Sequence, residues 1–248
     1  MKGNLIEANI QTRSLSIYLP PSYHKLASRY PVIYVHDGGY LFHSVISQLE
    51  ELFCSYAVEE VILVGIEPID RLAEYTPWFS PSLSPVFPSF NGKGRDYLTF
   101  IIQTIKPYID THFLTKADCY NTGMVGASLG GLISIYAMYE FGEYFSKFGL
   151  ISPSLWYPDM LSFVQENEVV TEKTVFLYIG EEEGKRKKNI QRDMVKNVLI
   201  ANEVFAEKLK KEDYQFVLGK NAEHKQEYFI HQFLNGVKWL YSKKSKPS

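Results

Sequence analysis

The chain has 248 residues, 46% of them hydrophobic and 22% charged, an ordinary globular balance with enough apolar material to bury a central sheet. A formal charge of −2 excludes a strong basic field for nucleic acid, and no apolar run reaches the length a bilayer demands. Cys54 and Cys119 fit no metal-ligand spacing and read as two reduced, buried thiols; residues 1–7 lack the apolar stretch of a secretory signal. The expectation is a cytoplasmic protein with no membrane or nucleic-acid partner.

Residues 13–19 alternate toward Ile17 and Leu19 and end at Pro20-Pro21, a strand closed by a turn. Residues 31–35 are a short apolar run, a buried strand, stopped by the loop His36-Asp37-Gly38-Gly39. A helix is expected over 49–58 and a second buried strand over 61–66. Residues 67–94 hold Pro68, Pro77, Pro81, Pro85 and Pro88 among Trp78, Phe79, Phe87 and Phe90. A connection that long in a compact domain is usually functional or mobile. Helical spacing returns over 97–113, where Leu98, Ile101, Ile102, Ile105 and Ile109 recur. Strands follow at 121–125, 147–151 and 174–179. A long helix over 189–211, a last strand over 214–218 and a closing helix over 226–241 complete the pattern. The Lys-rich end from Lys243 reads as a solvated tail. Strands alternating with helices predict one α/β domain over 1–248, with a mostly parallel central sheet and helices on both faces.

The chemistry concentrates at Gly126-Ala127-Ser128-Leu129-Gly130, a G-x-S-x-G pattern between an apolar strand and an apolar, small-residue helix. In that setting the pattern is the nucleophile elbow of an α/β hydrolase. Ser128 then sits on a strained turn with its hydroxyl raised above the sheet, and the flanking glycines let strand and helix approach. The helix that starts after Ser128 aims free N–H groups at the same point, so the Leu129 amide is a candidate oxyanion donor. The second donor is expected from the loop after an early central strand: Gly39, with Tyr40 next. The bland alternative is a Gly-Ser turn before a buried helix. His36, Asp37 and His43 have metal-ligand chemistry, but no second cluster joins them, so a structural loop is favoured and neither metal nor cofactor is expected.

A nucleophilic serine needs a base, and in this fold the order is Ser, then Asp or Glu, then His. Only His224 and His231 follow Ser128. His224 lies in a loop just past the last strand, where such sites are built, whereas His231 falls inside the closing helix. The acid should follow the preceding strand, which ends at Gly180 with Glu181-Glu182-Glu183 directly after it. Any of the three could orient the imidazole, with Asp159 and Asp193 as weaker candidates.

These residues carry a resemblance. The chain resembles the esterase family of α/β hydrolases that includes esterase D and the enterobactin esterases. Val35-His36-Asp37-Gly38-Gly39 is similar to the family's apolar strand ending in H/L-D-G. Gly65-Ile66-Glu67-Pro68 through Arg71 to Glu74-Tyr75-Thr76-Pro77-Trp78 resembles its G-I-x-x-x-x-R-x-x-E-Y-T-P-W segment. Ser152-Pro153-Ser154-Leu155-Trp156 resembles S-P-S-x-W, and Tyr178 through Gly184 resembles the acid loop Y-x-G-x-x-E-G, which selects Glu183. Glu223-His224 ahead of Tyr228 is similar to G-x-x-H-x-x-x-x-W and selects His224. Here neither the Trp nor the glycine is present.

The reading is a serine ester hydrolase acting on a small-molecule ester through Ser128, His224 and Glu183. The long loop and Trp156 imply a pocket for a bulky aromatic acyl group, with Tyr40, Arg71 and Trp78 as further substrate contacts. Lys185, Arg186, Lys187 and Lys188, with Lys220 and Lys225, are either a solvated face or an attraction for an anionic ester such as a siderophore trilactone. An acyltransferase, or a feruloyl- or acetyl-type esterase, would use the same residues. A non-catalytic binding protein on this scaffold ranks lower, because serine, histidine and elbow glycines are all present.

Overall fold

A computed structural model describes residues 1–25, 28–170 and 172–242; the Lys-rich end from Lys243 lies outside the described residues. Ten strands are named in chain order. These are β1 (Asn4–Ile10), β2 (Arg13–Leu19), β3 (Val32–His36), β4 (Ile62–Ile66), β5 (Phe79–Ser80) and β6 (Phe90–Asn91), then β7 (Thr122–Ala127), β8 (Lys147–Ile151), β9 (Thr174–Gly180) and β10 (Tyr214–Gly219). β5 and β6 pair as a small separate ribbon. The other eight form one sheet in the order β1-β2-β4-β3-β7-β8-β9-β10. β1 and β2 run antiparallel to their neighbours, and the rest of the sheet is parallel.

The parallel strands are short apolar runs because helices cover both of their faces. Along β3 the side chains alternate between two cores. Val32 and Tyr34 join one cluster with α5 (Leu129–Glu140), α3 (Gly94–Phe100) and α4 (Lys106–His112). Ile33 and Val35 join the other with α1 (Ile46–Cys54) and α8 (Gln226–Leu240). α5 has no wet stripe: every residue from Leu129 to Tyr139 is buried, which is why its sequence is apolar all round. The crossovers place the carboxyl ends of β3, β7, β8 and β9 beside one another, and the functional loops leave from those ends.

Several boundaries differ from the sequence reading. β1 was not expected; its outer half is solvated, so its alternation is weak. α1 ends at Cys54, before Tyr56 adopts a φ of 58°, and not at 58. The helix expected over 97–113 is α3 and α4 joined by a π turn, Ile101–Ile105. Pro107 follows that wide turn, where its missing N–H would otherwise cost a ladder bond. α7 spans Met194–Lys208, preceded by a 3-10 turn that Asn189 caps. The segment 67–94 holds α2 (Arg71–Glu74), started by the Asp70 side chain accepting the Ala73 N–H. α6 (Met160–Glu166) is an unforeseen short helix. The cysteines are free but not buried: Cys54 is exposed at the end of α1, and Cys119 is partly exposed. Among the described residues no helix is long and apolar enough to cross a membrane.

Candidate active site

The turn from β7 into α5 holds Ser128 at φ 58°, ψ −119°, a strained conformation for a residue with a Cβ. Close packing enforces it. A Cβ on Gly126 would collide with the Gly130 carbonyl, and one on Gly131 would sit 3.0 Å from Pro153 Cα. The Ser128 N–H donates to the Ile151 carbonyl at 3.0 Å, which ties the elbow to the end of β8.

His224 enters from the loop between β10 and α8. Its Nε2 lies 3.0 Å from Ser128 Oγ, and its Nδ1 lies 2.6 Å from Glu183 Oε2. The ring stands edge-on to Phe229, centroids 4.7 Å apart. The Glu183 side chain is wholly buried, so it needs donors, and it has them. Ser152 Oγ donates to Oε1 at 2.6 Å and the Gly180 N–H donates to it at 2.9 Å. With the carboxylate accepting from Nδ1, the imidazole keeps its Nε2 bare to accept the Ser128 proton. The neighbouring acids are engaged elsewhere. Glu181 accepts the Asn221 N–H, and Glu182 pairs with Lys185. Asp159 precedes α6, Asp193 lies beside Arg192, and His231 contacts Gln232 and Asn235 on α8.

The loop after β3 bends through two left-handed residues, Asp37 at φ 64° and Gly38 at φ 60°. At Gly39 a Cβ would collide with the His43 imidazole, which Ser16 Oγ holds at 2.7 Å. His43 is therefore a buttress of the bare backbone. The Tyr40 N–H is occupied by the Asp37 carbonyl, at 3.2 Å, which leaves Gly39 as the better placed amide of the two. Leu129 opens α5, so its N–H has no intrahelical acceptor. Arg71 grips the Asp37 carboxylate with both arms, at 2.6 and 3.0 Å. His36 is fully buried, and burial pushes its pKa down to about 3. Among the described residues no group of His, Cys, Asp and Glu could hold a metal ion.

Two cavities reach Ser128 and share Arg71. One, of about 480 Å³, has Asp37, Gly39, Tyr40, Glu67 and Phe229 among its lining residues. The other, of about 440 Å³, is mostly apolar, lined by Leu72, Leu83, Phe87, Phe90 and Trp156, with Lys187 among its lining residues. A larger space of about 660 Å³ between Arg29, Phe53 and Glu59 does not include Ser128. The other basic residues are partly engaged. Lys185 pairs with Glu182, Arg186 lies 3.4 Å from Glu223, and Lys225 meets the same carboxylate at 2.7 Å.

A family model described as "Putative esterase" matches residues 8–240. The chain belongs to this esterase family. As an esterase it is a carboxylic-ester hydrolase. It is 40% identical to YbbA of Bacillus subtilis (strain 168), a protein described as uncharacterized, over 98% of both chains. Among solved structures it is similar to an IroE-like serine hydrolase from Shewanella oneidensis, at 22% identity and a TM-score of 0.79. That match covers 95% of this chain and 79% of the other. It is also similar to the siderophore hydrolase EstB from Aspergillus nidulans, at 19% identity and a TM-score of 0.77, covering 99% of this chain and 96% of that one. At such identities the likeness establishes the fold, that of an α/β hydrolase.

Of the residues expected at the esterase's site, Tyr40, Arg71 and Trp156 line the two cavities and Trp78 does not. The Trp78 indole N–H donates to the Pro158 carbonyl at 3.0 Å, and the ring packs against Tyr136, Tyr157 and Phe163. In this structure Trp78 packs under the loop. Sequence reasoning also missed Ser152, Ser154 and Phe229. Ser154 Oγ is 3.2 Å from Ser128 Oγ, and its N–H donates to the Ser128 carbonyl at 3.1 Å. The two serines of the S-P-S segment thus contact Glu183 and Ser128 respectively; the motif was visible in the sequence, but these contacts were not.

Proposed function

We propose that this esterase works through an acyl-enzyme on Ser128, with His224 as base and then acid and Glu183 orienting it. One observation carries the reading: Ser128, His224 and Glu183 form an unbroken hydrogen-bonded line of 3.0 and 2.6 Å at the mouth of two cavities. His224 Nε2 takes the Ser128 proton as Oγ attacks the ester carbonyl. The Gly39 and Leu129 amides receive the oxyanion, on backbone fixed before substrate arrives. The imidazolium, steadied by the buried Glu183 carboxylate, then protonates the leaving alcohol. Water repeats the cycle on the acyl-enzyme and frees the acid.

The substrate we assign is an ester with a bulky aromatic or anionic acyl group, of which a siderophore trilactone is an example. Support comes from the apolar 440 Å³ cavity with Trp156 in its wall and the Lys187 ammonium among its lining residues. Support also comes from the names of relatives: a siderophore enterobactin esterase of Emericella nidulans and a xylanase/feruloyl esterase of Xylanibacter ruminicola.

The deciding experiment is Ser128→Ala. It should fold, lose about 10⁴-fold or more in p-nitrophenyl acetate turnover and no longer take up a fluorophosphonate label. Retention of most of the activity would put the nucleophile elsewhere.

A further inference from the structure

The loop that carries the Gly39 amide is strained, and something must hold it. Asp37 and Gly38 both lie in the left-handed region, which Asp adopts reluctantly. Three anchors are present. The Gly38 N–H donates to the Ile66 carbonyl at 2.9 Å, Arg71 clamps the Asp37 carboxylate, and the Asp37 N–H donates to Tyr75 Oη at 2.8 Å. Of the two side-chain anchors the Tyr75 one is buried, since Tyr75 is fully buried while Arg71 is partly exposed.

A backbone amide can only donate, so Tyr75 Oη accepts there. The Tyr97 ring packs against the Tyr75 ring, centroids 5.3 Å apart. Tyr97 Oη in turn lies 2.8 Å from His36 Nδ1. The line therefore leaves the backbone at Asp37, passes two packed phenol rings and returns to the side chain of the preceding residue. Its three side chains are all buried, at 0%, 2% and 0% exposure for Tyr75, Tyr97 and His36. In that dry setting a lost partner is not replaced by water. Burial pushes both phenols up and His36 down, so the line stays uncharged at any ordinary pH.

We infer that Tyr75 is a positioning residue of the reaction: through the Asp37 amide, and backed by Tyr97 and His36, it sets the peptide that aims the Gly39 N–H at the oxyanion. Elements far apart in sequence supply the three side chains, and nothing else in the mechanism uses them. The inference rests on the reading of Gly39 as an oxyanion donor.

The test is Tyr75→Phe in the full chain, which removes one hydroxyl and keeps the ring. It is compared with wild type, Tyr97→Phe and Ser128→Ala. Rates are expressed per active site counted by end-point fluorophosphonate labelling, so that misfolded protein is not scored. Tyr75→Phe should lower kcat for p-nitrophenyl acetate by about tenfold to a hundredfold with KM within about twofold. The rate constant for fluorophosphonate inactivation should fall by a similar factor, because the phosphoryl oxygen uses the same amides. Tyr97→Phe should cost less, because Tyr75 Oη still accepts the Asp37 N–H. The inference is overturned if Tyr75→Phe keeps wild-type kcat per site, if its loss lies in KM alone, or if Tyr97→Phe is equally damaging. Activity surviving in Ser128→Ala would instead overturn the underlying hydrolase reading.

Discussion

Acid should destabilise this esterase through His36. The imidazole is fully buried, and burial, followed by the nearby Arg71 charge, lowers its pKa from 6.5 to about 3. The unfolded chain takes up a proton at this residue as pH falls through its free value, while the native protein refuses it until about pH 3. Between those limits the unfolded state holds more protons, so stability falls as pH falls. One pKa unit is worth about 1.4 kcal/mol, and about pH 4.5 lies two units below the free value, so the loss relative to pH 8 is about 3 kcal/mol. That is a large share of the roughly 5–15 kcal/mol that holds a typical domain. The perturbation is His36→Asn, whose Oδ1 takes the place of Nδ1 beside Tyr97 and does not titrate in this range. Urea unfolding followed by circular dichroism at pH 8 and about pH 4.5 gives the free energies. The smaller side chain lowers the variant's stability at both pH values, and the carboxylates common to both proteins cancel in the comparison. Wild type should lose about 3 kcal/mol more than the variant between the two conditions. Equal losses would refute the reasoning, since His36 would then titrate alike folded and unfolded.

His224→Ala should cost about as much turnover as Ser128→Ala, roughly 10⁴-fold, while His231→Ala should leave p-nitrophenyl acetate hydrolysis near wild type. Glu183→Ala should cost less than His224→Ala but more than either Glu181→Ala or Glu182→Ala; a reversed order in steady-state kcat would move the acid. Lys187→Gln should lower kcat/KM for an ester with an anionic acyl group and flatten its decline with added salt, because exposed charges act over about 8 Å at physiological ionic strength. Equal rates for variant and wild type at low salt would place Lys187 outside substrate recognition.

The elbow was legible because its requirement is local: glycines where backbone must touch backbone, and an apolar strand and helix on either side. Chain order and strand ends pointed to His224 and to the three adjacent acids, among which only the family resemblance favoured Glu183; in the structure Glu183 meets His224 Nδ1, while Glu181 and Glu182 meet Asn221 and Lys185. The parallel strands announced themselves as Val- and Ile-rich runs, whereas β1, half solvated, left only a weak period. The line from Tyr75 to His36 was illegible for a different reason. Its members are 61 residues apart between His36 and Tyr97, and each alone reads as a buried aromatic or a core histidine. Trp78 was ambiguous because a tryptophan in a long loop fits a substrate contact as well as a packing anchor; its bond to Pro158 and its ring contacts are those of an anchor.

The absence of any wet face on α5 has a bearing on how such a protein diversifies. A helix enclosed from Leu129 to Tyr139 offers no position where a new side chain could be tried without disturbing the core. The segment 67–93 is the opposite. It supplies Leu72, Leu83, Ser84, Phe87, Pro88 and Phe90 to the apolar cavity, and Val86 and Phe87 at its tip are largely exposed. Much of the apolar cavity's wall therefore comes from one contiguous stretch of chain, joined from outside it by Trp156, Lys187, Asn189 and Gln191. A gene lineage could reshape the tip of that loop around Val86 and Phe87 and alter the cavity while leaving α5, and the anchors Arg71 and Tyr75, in place.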